Sequence, residues 1–182
     1  MAKLSRELVV RRLLAANGAW YDTHSNYEFC GHMFAGYCEF HSHGEQYVLV
    51  KRAKLWEVDA HDYLFLDSVD HVDEEYLTRA IAFMETSGLT KVDPKPNHMQ
   101  SSLSLVLIAD AVDEEAKKLC RRTRFRKNFM LGLRGWSDLR LAIVDLSSGD
   151  VTTNGAGKEL RRSLEANLAP EHAGAREEEA RL

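Results

Sequence analysis

The sequence has few of the residues that cross-link or anchor a chain, and this excludes several classes of protein. It has only three cysteines, Cys30, Cys38 and Cys120, an odd number without regular spacing. Such usage is typical of reduced thiols and argues against a disulfide scaffold. The longest unbroken apolar run is Leu105 to Ala109, far shorter than a membrane span, and charged residues interrupt any N-terminal signal sequence. We therefore predict a cytoplasmic protein with no membrane partner.

The composition gives no reason to expect a stabilising cofactor, and we predict none. With 45% apolar and 29% charged residues over 182 positions, the chain resembles an ordinary globular domain. A domain of this length buries enough surface to fold without a metal or a disulfide. From Ala169 onward no large apolar residue appears before Leu182. We predict a single domain over 1–168 and a disordered tail over 169–182.

Hydrophobic periodicity and turn signals predict an α+β fold, with one mixed sheet of about six strands and helices packed on it. The predicted order is helix, three strands, helix, strand, helix, three strands, helix. The predicted helices cover 4–16, 70 or 73 to about 87, 113–122 and 158–168. The predicted strands cover 33–40, 46–52, 55–67, 103–109, 125–133, 139–146 and 151–153.

Some of these elements carry more specific expectations. The strands 33–40 and 46–52 flank the turn signal His41-Ser42-His43-Gly44 and are predicted to form a hairpin. Trp20 to Gly31 lacks periodicity and is predicted to be an irregular loop. Gly18 suits the left-handed residue that closes the first helix. The strand 103–109 is apolar at consecutive positions, which predicts a place in the middle of the sheet.

Charge is segregated along the chain. Residues 57–75 contain eight acids and no lysine or arginine, whereas residues 117–140 contain nine bases and the single acid Asp138. Our first hypothesis is a non-enzymatic binding or regulatory domain with a basic contact face at 117–140. The candidate contact residues are Lys118, Arg121, Arg122, Arg124, Arg126, Lys127 and Arg134.

The same charges have a simpler interpretation. Asp113 with Lys117, and Glu114 with Lys118, are i,i+4 pairs in a helix whose bases lie near its C-terminus, as the helix dipole favours. If the basic face is a contact surface, its partner is a protein or a second copy of the chain. Phosphate or nucleic acid is the alternative, with Phe125 and Phe129 available to stack on bases.

A second class of function is a metal-dependent hydrolase that uses a histidine cluster. The candidate ligands are His32, His41, His43 and His61, close in sequence to Cys30 and Cys38. Their spacing argues against a zinc site, because Cys38 and His41 start on opposite faces of a strand. No Gly-x-Ser-x-Gly motif or complete P-loop is present, since Glu159 follows Lys158 where a P-loop has serine or threonine.

Three short segments resemble a family of conserved bacterial proteins of unknown function. They are Pro94-Lys95-Pro96-Asn97-His98-Met99, Gly132-Leu133-Arg134-Gly135-Trp136 and Thr153-Asn154-Gly155-Ala156-Gly157-Lys158. The resemblance extends to about residue 165. It implies a bacterial cytosolic source and carries over no fold, activity or catalytic residue.

Overall fold

The computed structural model describes residues 4–41, 59–94 and 98–169. Over these ranges the element order is the predicted one, and the α+β class with a mixed sheet is confirmed. The strands are β1 Asp22–Phe29, β2 His32–His41, β3 Asp59–Val72, β4 His98–Val112, β5 Arg126–Asn128, β6 Trp136–Asp145 and β7 Asp150–Thr153. The helices are α1 Arg6–Asn17, α2 Glu74–Thr86, α3 Glu114–Arg122 and α4 Lys158–Leu168.

The described strands form one seven-stranded sheet in the order β1-β2-β3-β4-β6-β5, and β7 also pairs with β6. β1, β2 and β3 are antiparallel neighbours, whereas β4 runs parallel to both β3 and β6. Helices α2 and α3 make the two crossovers that parallel pairing requires. The most apolar strand of the sequence is therefore central, as predicted, with Val106, Leu107 and Ile108 fully buried.

Each face of the sheet has its own apolar core. Helices α2 and α3 cover one face, where Leu77 and Cys120 pack with alternate strand residues such as Leu105. Helices α1 and α4 cover the other face, where Leu13 and Leu164 pack with the residues in between. Both faces of β4 and β6 are covered, which explains why their sequences are apolar at consecutive positions.

Local signals place the helix boundaries well. Asp73 caps α2, since its carboxylate accepts a hydrogen bond from the Tyr76 backbone N–H at 2.7 Å. Asp113 precedes α3 as predicted but makes no capping bond, because its carboxylate contacts Nε2 of His71 at 2.8 Å. The prediction for Gly18 is wrong, because its φ of −62° is right-handed.

The predicted loop at 20–31 is wrong, because Asp22–Phe29 is the edge strand β1. Its sequence is mostly polar, since an edge strand with one exposed face needs few apolar residues. Tyr27 stacks on Tyr37 of β2 with 4.2 Å between ring centroids. The Lys91 ammonium lies 4.6 Å from the centre of the Tyr37 ring and 3.6 Å from the Glu39 carboxylate. These contacts hold β1 and β2 to the rest of the fold.

The predicted hairpin between 33–40 and 46–52 is also corrected. β2 pairs with β1 on one side and with β3 on the other, so both edges are occupied along Gly36 to Glu39. Its hairpin partner is β1, and the turn is Cys30-Gly31, both at positive φ. Residues 46–52, like the tail 170–182, lie outside the described residues.

Candidate functional site

The base-rich stretch 117–140 is largely neutralised within the fold, beginning with its two lysines on α3. Lys117 is buried, and its ammonium lies 2.7 Å from Asp145 and 3.2 Å from Glu114. Lys118 is exposed and pairs with Glu115 at 3.3 Å. The acids three residues earlier therefore take the place of the i,i+4 partners that the sequence predicts.

Three arginines of the stretch are paired as well. The pairs are Arg122 with Glu74 at 3.2 Å, Arg126 with Asp138 at 2.6 Å and Arg140 with Asp62 at 3.6 Å. Two of these acids belong to the acidic block 57–75, so the two oppositely charged segments meet in the fold. A further arginine, Arg134, donates to the Pro94 carbonyl at 3.4 Å.

The cations that remain are Arg121, Arg124 and Lys127. All three are exposed, and none has a hydrogen bond or an ion pair with another residue of the described ranges. Lys127 lies within the short edge strand β5, and Arg124 lies two residues before this strand begins. The two positions are three residues apart, so their side chains are expected on opposite sides of this extended segment. The stretch 117–140 therefore has fewer unpaired cations than the sequence suggests, and these cations do not all face in one direction.

Beside these cations lies a loop of residues 129–135, called the apolar loop below. The sequence predicts strand through residue 133, but β5 ends at Asn128 and this loop follows. Met130, Leu131 and Leu133 are 59%, 100% and 80% exposed. Exposed large apolar residues that cluster, unlike single ones, are typical of interaction sites.

The apolar loop has a defined backbone conformation. Five backbone hydrogen bonds close it, among them Phe129 N–H to the Gly135 carbonyl at 2.9 Å. Met130 and Leu131 have φ of 47° and 55°, a left-handed conformation that costs a non-glycine residue about 1–2 kcal/mol. Strain of this kind concentrates at functional sites.

The phenylalanine rings next to the apolar loop already pack inside the fold. Phe125 and Phe129 are partly buried and pack against the core beneath α2 and α3, so they are not exposed platforms for bases. The guanidinium of Arg126 lies 5.4 Å from the centre of the Trp136 ring. The phosphate or nucleic-acid alternative therefore has less support in the structure than in the sequence.

The predicted metal ligands do not come together in the described part of the chain. His32 begins β2, whereas His41 ends it and pairs with His61 of β3. Nine residues of strand separate His32 from His41, or about 30 Å. Within residues 4–41, 59–94 and 98–169, no group of three or more His, Cys, Asp or Glu could hold a metal ion. His43 lies outside these ranges.

The cysteines are free, as predicted. Burial raises the pKa of the Cys38 and Cys120 thiols to about 12, so both are protonated and unreactive at neutral pH. Cys30 is exposed in the turn between β1 and β2.

A concave site, called the aromatic pocket below, lies between α2 and the strands β2, β3 and β4. Its volume is about 190 Å³. Its apolar wall is formed by Phe34, Ala80, Phe83, Met84 and Leu105, and its polar residues are His32, Asp67, Tyr76 and Arg79. A mostly apolar cavity with a few converging polar groups is the usual form of a small-molecule site.

The polar groups of the aromatic pocket are centred on Asp67, which is only 5% exposed. Its Oδ2 accepts a hydrogen bond from the Tyr76 hydroxyl at 2.7 Å and lies 3.0 Å from Nε2 of His32. Its Oδ1 accepts from the Ser68 backbone N–H at 2.9 Å. Both oxygens of the buried carboxylate therefore have hydrogen-bond partners within the protein. The carboxylate also fixes the orientation of the histidine ring.

Sequence reasoning missed the aromatic pocket, and it includes the apolar loop only as part of the basic stretch 117–140, without its apolar side chains. Of the polar pocket residues, the sequence marks only His32 as a candidate, and then as a metal ligand. Asp67 and Tyr76 are 35 and 44 positions from it in sequence, so only the pairing of β2 with β3 brings them together. The apolar loop was read as strand because Met130, Leu131 and Leu133 continue an apolar run, although Gly132 and Gly135 could have indicated a turn.

No helix of the described ranges combines the length and the apolar character needed to cross a bilayer. No curated protein and no solved structure matches the chain. The model of a family described as a domain of unknown function (DUF8052) matches residues 5–166. That span contains the aromatic pocket, the apolar loop and every described strand. The chain therefore belongs to the DUF8052 family, a domain of unknown function.

Proposed function

We propose that this protein is a non-enzymatic binding domain whose contact surface for an acidic protein partner is the apolar loop, with the nearby exposed cations Arg124 and Lys127 attracting that partner towards it. The observation that carries the proposal is the full exposure of Leu131 on a closed, strained loop. The proposed surface is smaller than the basic face 117–140 expected from the sequence, because most of the other cations in that stretch are already paired. A cytoplasmic location and a bacterial source belong to the same proposal.

Apolar contacts supply most of the expected affinity. Burying a leucine or methionine side chain contributes about 1.5–3 kcal/mol, and three such side chains lie within four positions of the loop. The entropy cost is reduced because the hydrogen-bonded loop already has its bound shape. Arg124 and Lys127 attract acidic groups on the partner. This attraction increases the rate of association more than it increases the affinity of the complex.

An anionic membrane is a poorer match for this surface. Electrostatic attachment to anionic lipid commonly uses clusters of four to eight cations, each worth about 1 kcal/mol. Here Arg121, Arg124 and Lys127 are the unpaired cations of the 117–140 stretch, and the whole chain has a net charge of −4. A protein partner that offers an apolar groove with an acidic rim suits both the small number of cations and the three apolar side chains.

The test is a photo-crosslinking amino acid placed at position 131 in cells of the source organism. We expect one discrete crosslinked protein from position 131, identified by mass spectrometry, and none from the exposed control position Arg162 on α4. With the purified partner, Leu131→Asp should weaken binding by about 2 kcal/mol, or roughly 30-fold. Lys127→Glu should mainly slow association, and the salt dependence of that rate should decrease.

Three results would contradict the proposal. Equal crosslinking from positions 131 and 162 would show that the loop makes no specific contact. A crosslink to a second copy of the chain, together with a dimer in sedimentation velocity that Leu131→Asp dissociates, would identify a self-association surface. Binding to anionic vesicles that is lost in Leu131→Asp would identify a lipid surface.

Lys118→Glu is the matched charge control, because Lys118 is exposed but pairs with Glu115.

A further inference from the structure

The structure also points to a second, separate binding site: we infer that the aromatic pocket binds a small monocarboxylate with a single apolar ring, whose carboxylate meets His32 and Arg79. The pocket lies between β2 and α2, whereas the apolar loop follows β5 at the opposite end of the strand order. The two proposals therefore rest on different residues and can fail independently.

The size and the walls of the pocket determine the body of the ligand. Cavities of about 150 Å³ take up a benzene-sized molecule, so about 190 Å³ holds one ring with a small substituent. Phe34 and Phe83 pack beside the ring of His32, with centroids 4.5 Å and 5.8 Å from its own and 5.9 Å from each other. Met84 and Leu105 are fully buried and supply further apolar wall.

The polar groups of the pocket determine the charge of the ligand. Asp67 is an acceptor only, so the Nε2 that faces it carries a proton. The other nitrogen, Nδ1, is then the one left for a ligand. The side chain of His32 is 41% exposed and that of Asp67 only 8%, so the ring extends from the buried carboxylate towards solvent. A protonated ring donates from Nε2 to Asp67 and from Nδ1 to a ligand carboxylate.

Arg79 supplies the second positive group. It pairs with Glu75 one turn earlier on α2, and both side chains are well exposed. An exposed pair of this kind contributes little to stability, because water screens it. The guanidinium can therefore turn from Glu75 to a ligand carboxylate at little cost and bind it through two parallel hydrogen bonds.

The charged and titratable groups that face the ring of His32 are Asp67 from β3 and Tyr76 and Arg79 from α2, with Glu75 behind Arg79. Burial, and then the hydrogen bond to Asp67, raise the pKa of Tyr76, so its hydroxyl remains a donor at neutral pH.

The experiment measures binding of benzoate, benzamide and benzylamine to the full chain by heteronuclear NMR titration at millimolar concentrations. We expect saturable shifts for benzoate at residues that line the pocket, and binding that is roughly tenfold or more weaker for the neutral amide and the cationic amine. His32→Gln should bind benzoate roughly tenfold more weakly, because glutamine carries no positive charge.

Two variants of α2 locate the site. Ala80→Leu places a larger side chain in the cavity and should abolish benzoate binding. Ala82→Leu is the matched control, since Ala82 is exposed on the same helix and does not line the pocket; it should bind as the wild type does. Asp67→Asn removes the acceptor that orients His32 and should weaken benzoate binding, whereas Asp67→Glu, which keeps a carboxylate acceptor, should restore part of it.

Several outcomes would overturn the inference. No saturable binding of benzoate by the folded wild type would do so, as would benzamide binding as tightly as benzoate. Unchanged binding in Ala80→Leu would place the site elsewhere. A His32→Gln variant that binds benzoate as tightly as the wild type does would show that the histidine does not contact the carboxylate. The amide spectrum of each variant reports directly whether it is folded.

Discussion

Replacing Asn154 with alanine should destabilise the domain by about 4 kcal/mol, a large share of the 5–15 kcal/mol typical of a folded domain. Asn154 is 1% exposed and follows β7 in a segment rich in glycine. Its Oδ1 accepts from the backbone N–H groups of Leu141 at 3.0 Å and Gly157 at 2.8 Å. Its Nδ2 donates to the carbonyls of Leu139 at 2.9 Å and Thr123 at 3.3 Å.

The cost is high because alanine leaves backbone groups without partners in a region closed to water. Three of the four hydrogen bonds are fully buried, and an unsatisfied buried polar group costs about 1–3 kcal/mol. Asn154 thus joins β6, the end of α3 and the start of α4 through a single amide. This structural role accounts for the segment 154–158, whose glycines and lysine only superficially resemble a phosphate-binding loop.

Gly157 belongs to the same arrangement. A Cβ at this position would lie 2.7 Å from the Leu141 carbonyl oxygen and 2.9 Å from Oδ1 of Asn154. Gly157→Ala should therefore push apart the Leu141 backbone and the Asn154 side chain, whose hydrogen bond Asn154→Ala removes. The double variant should be less destabilised than the sum of the two single variants, because both changes remove one shared interaction.

Urea unfolding followed by circular dichroism measures these effects. Thr153→Ala, one residue away and without a side-chain hydrogen bond in the described structure, is the control and should cost less than about 1 kcal/mol. An Asn154→Ala variant as stable as that control would show that the four hydrogen bonds contribute little, and strictly additive effects of Asn154→Ala and Gly157→Ala would show that the two residues act separately.

The sequence predicts the fold better than the strand partners. Alternation and consecutive apolar residues locate β4 and β6, and Asp73 locates the start of α2, because burial on two faces and helix capping leave local signals. The edge strand β1 leaves almost none, since Asp22 to Asn26 are polar and mostly exposed. Its inward-facing signal is limited to Tyr27, which packs on Tyr37 of β2, and Phe29, which packs on Phe65 of β3.

Charge along the sequence is a weaker guide to the surface. Lys117 is five residues from Arg122 in sequence, but the first is buried and the second is exposed. The difference arises because α3 turns one face to β6, where Asp145 lies, and the other to solvent. A count of bases in the sequence does not show which of them lie on the buried face of α3. That depends on the position of the partner carboxylate, Asp145, which is 28 residues away from Lys117.

The buried ion pair of Lys117 and Asp145 should be the second most sensitive point of the fold. Lys117→Met leaves a carboxylate that is 3% exposed without its ammonium partner, and breaking a buried pair in this way typically costs about 3–5 kcal/mol. The neutral double variant Lys117→Met with Asp145→Asn should recover part of this loss, because no uncompensated charge remains. Lys118→Met, which removes an exposed pair with Glu115, should cost less than about 1 kcal/mol.

The same pair predicts how stability depends on acid. Burial alone would raise the pKa of Asp145, but hydrogen bonds from Lys117, Ser147 and Ser148 outweigh it and lower this pKa to about 2. An unfolded aspartate has a pKa of about 3.9, so this carboxylate contributes about 2–3 kcal/mol that is fully present above about pH 5 and is lost as the pH falls through 4 towards 2. Urea unfolding of Lys117→Met should therefore show a shallower loss of stability between about pH 4 and pH 2 than the wild type does. Parallel pH profiles for the two proteins would show that the ammonium does not control the ionisation of Asp145.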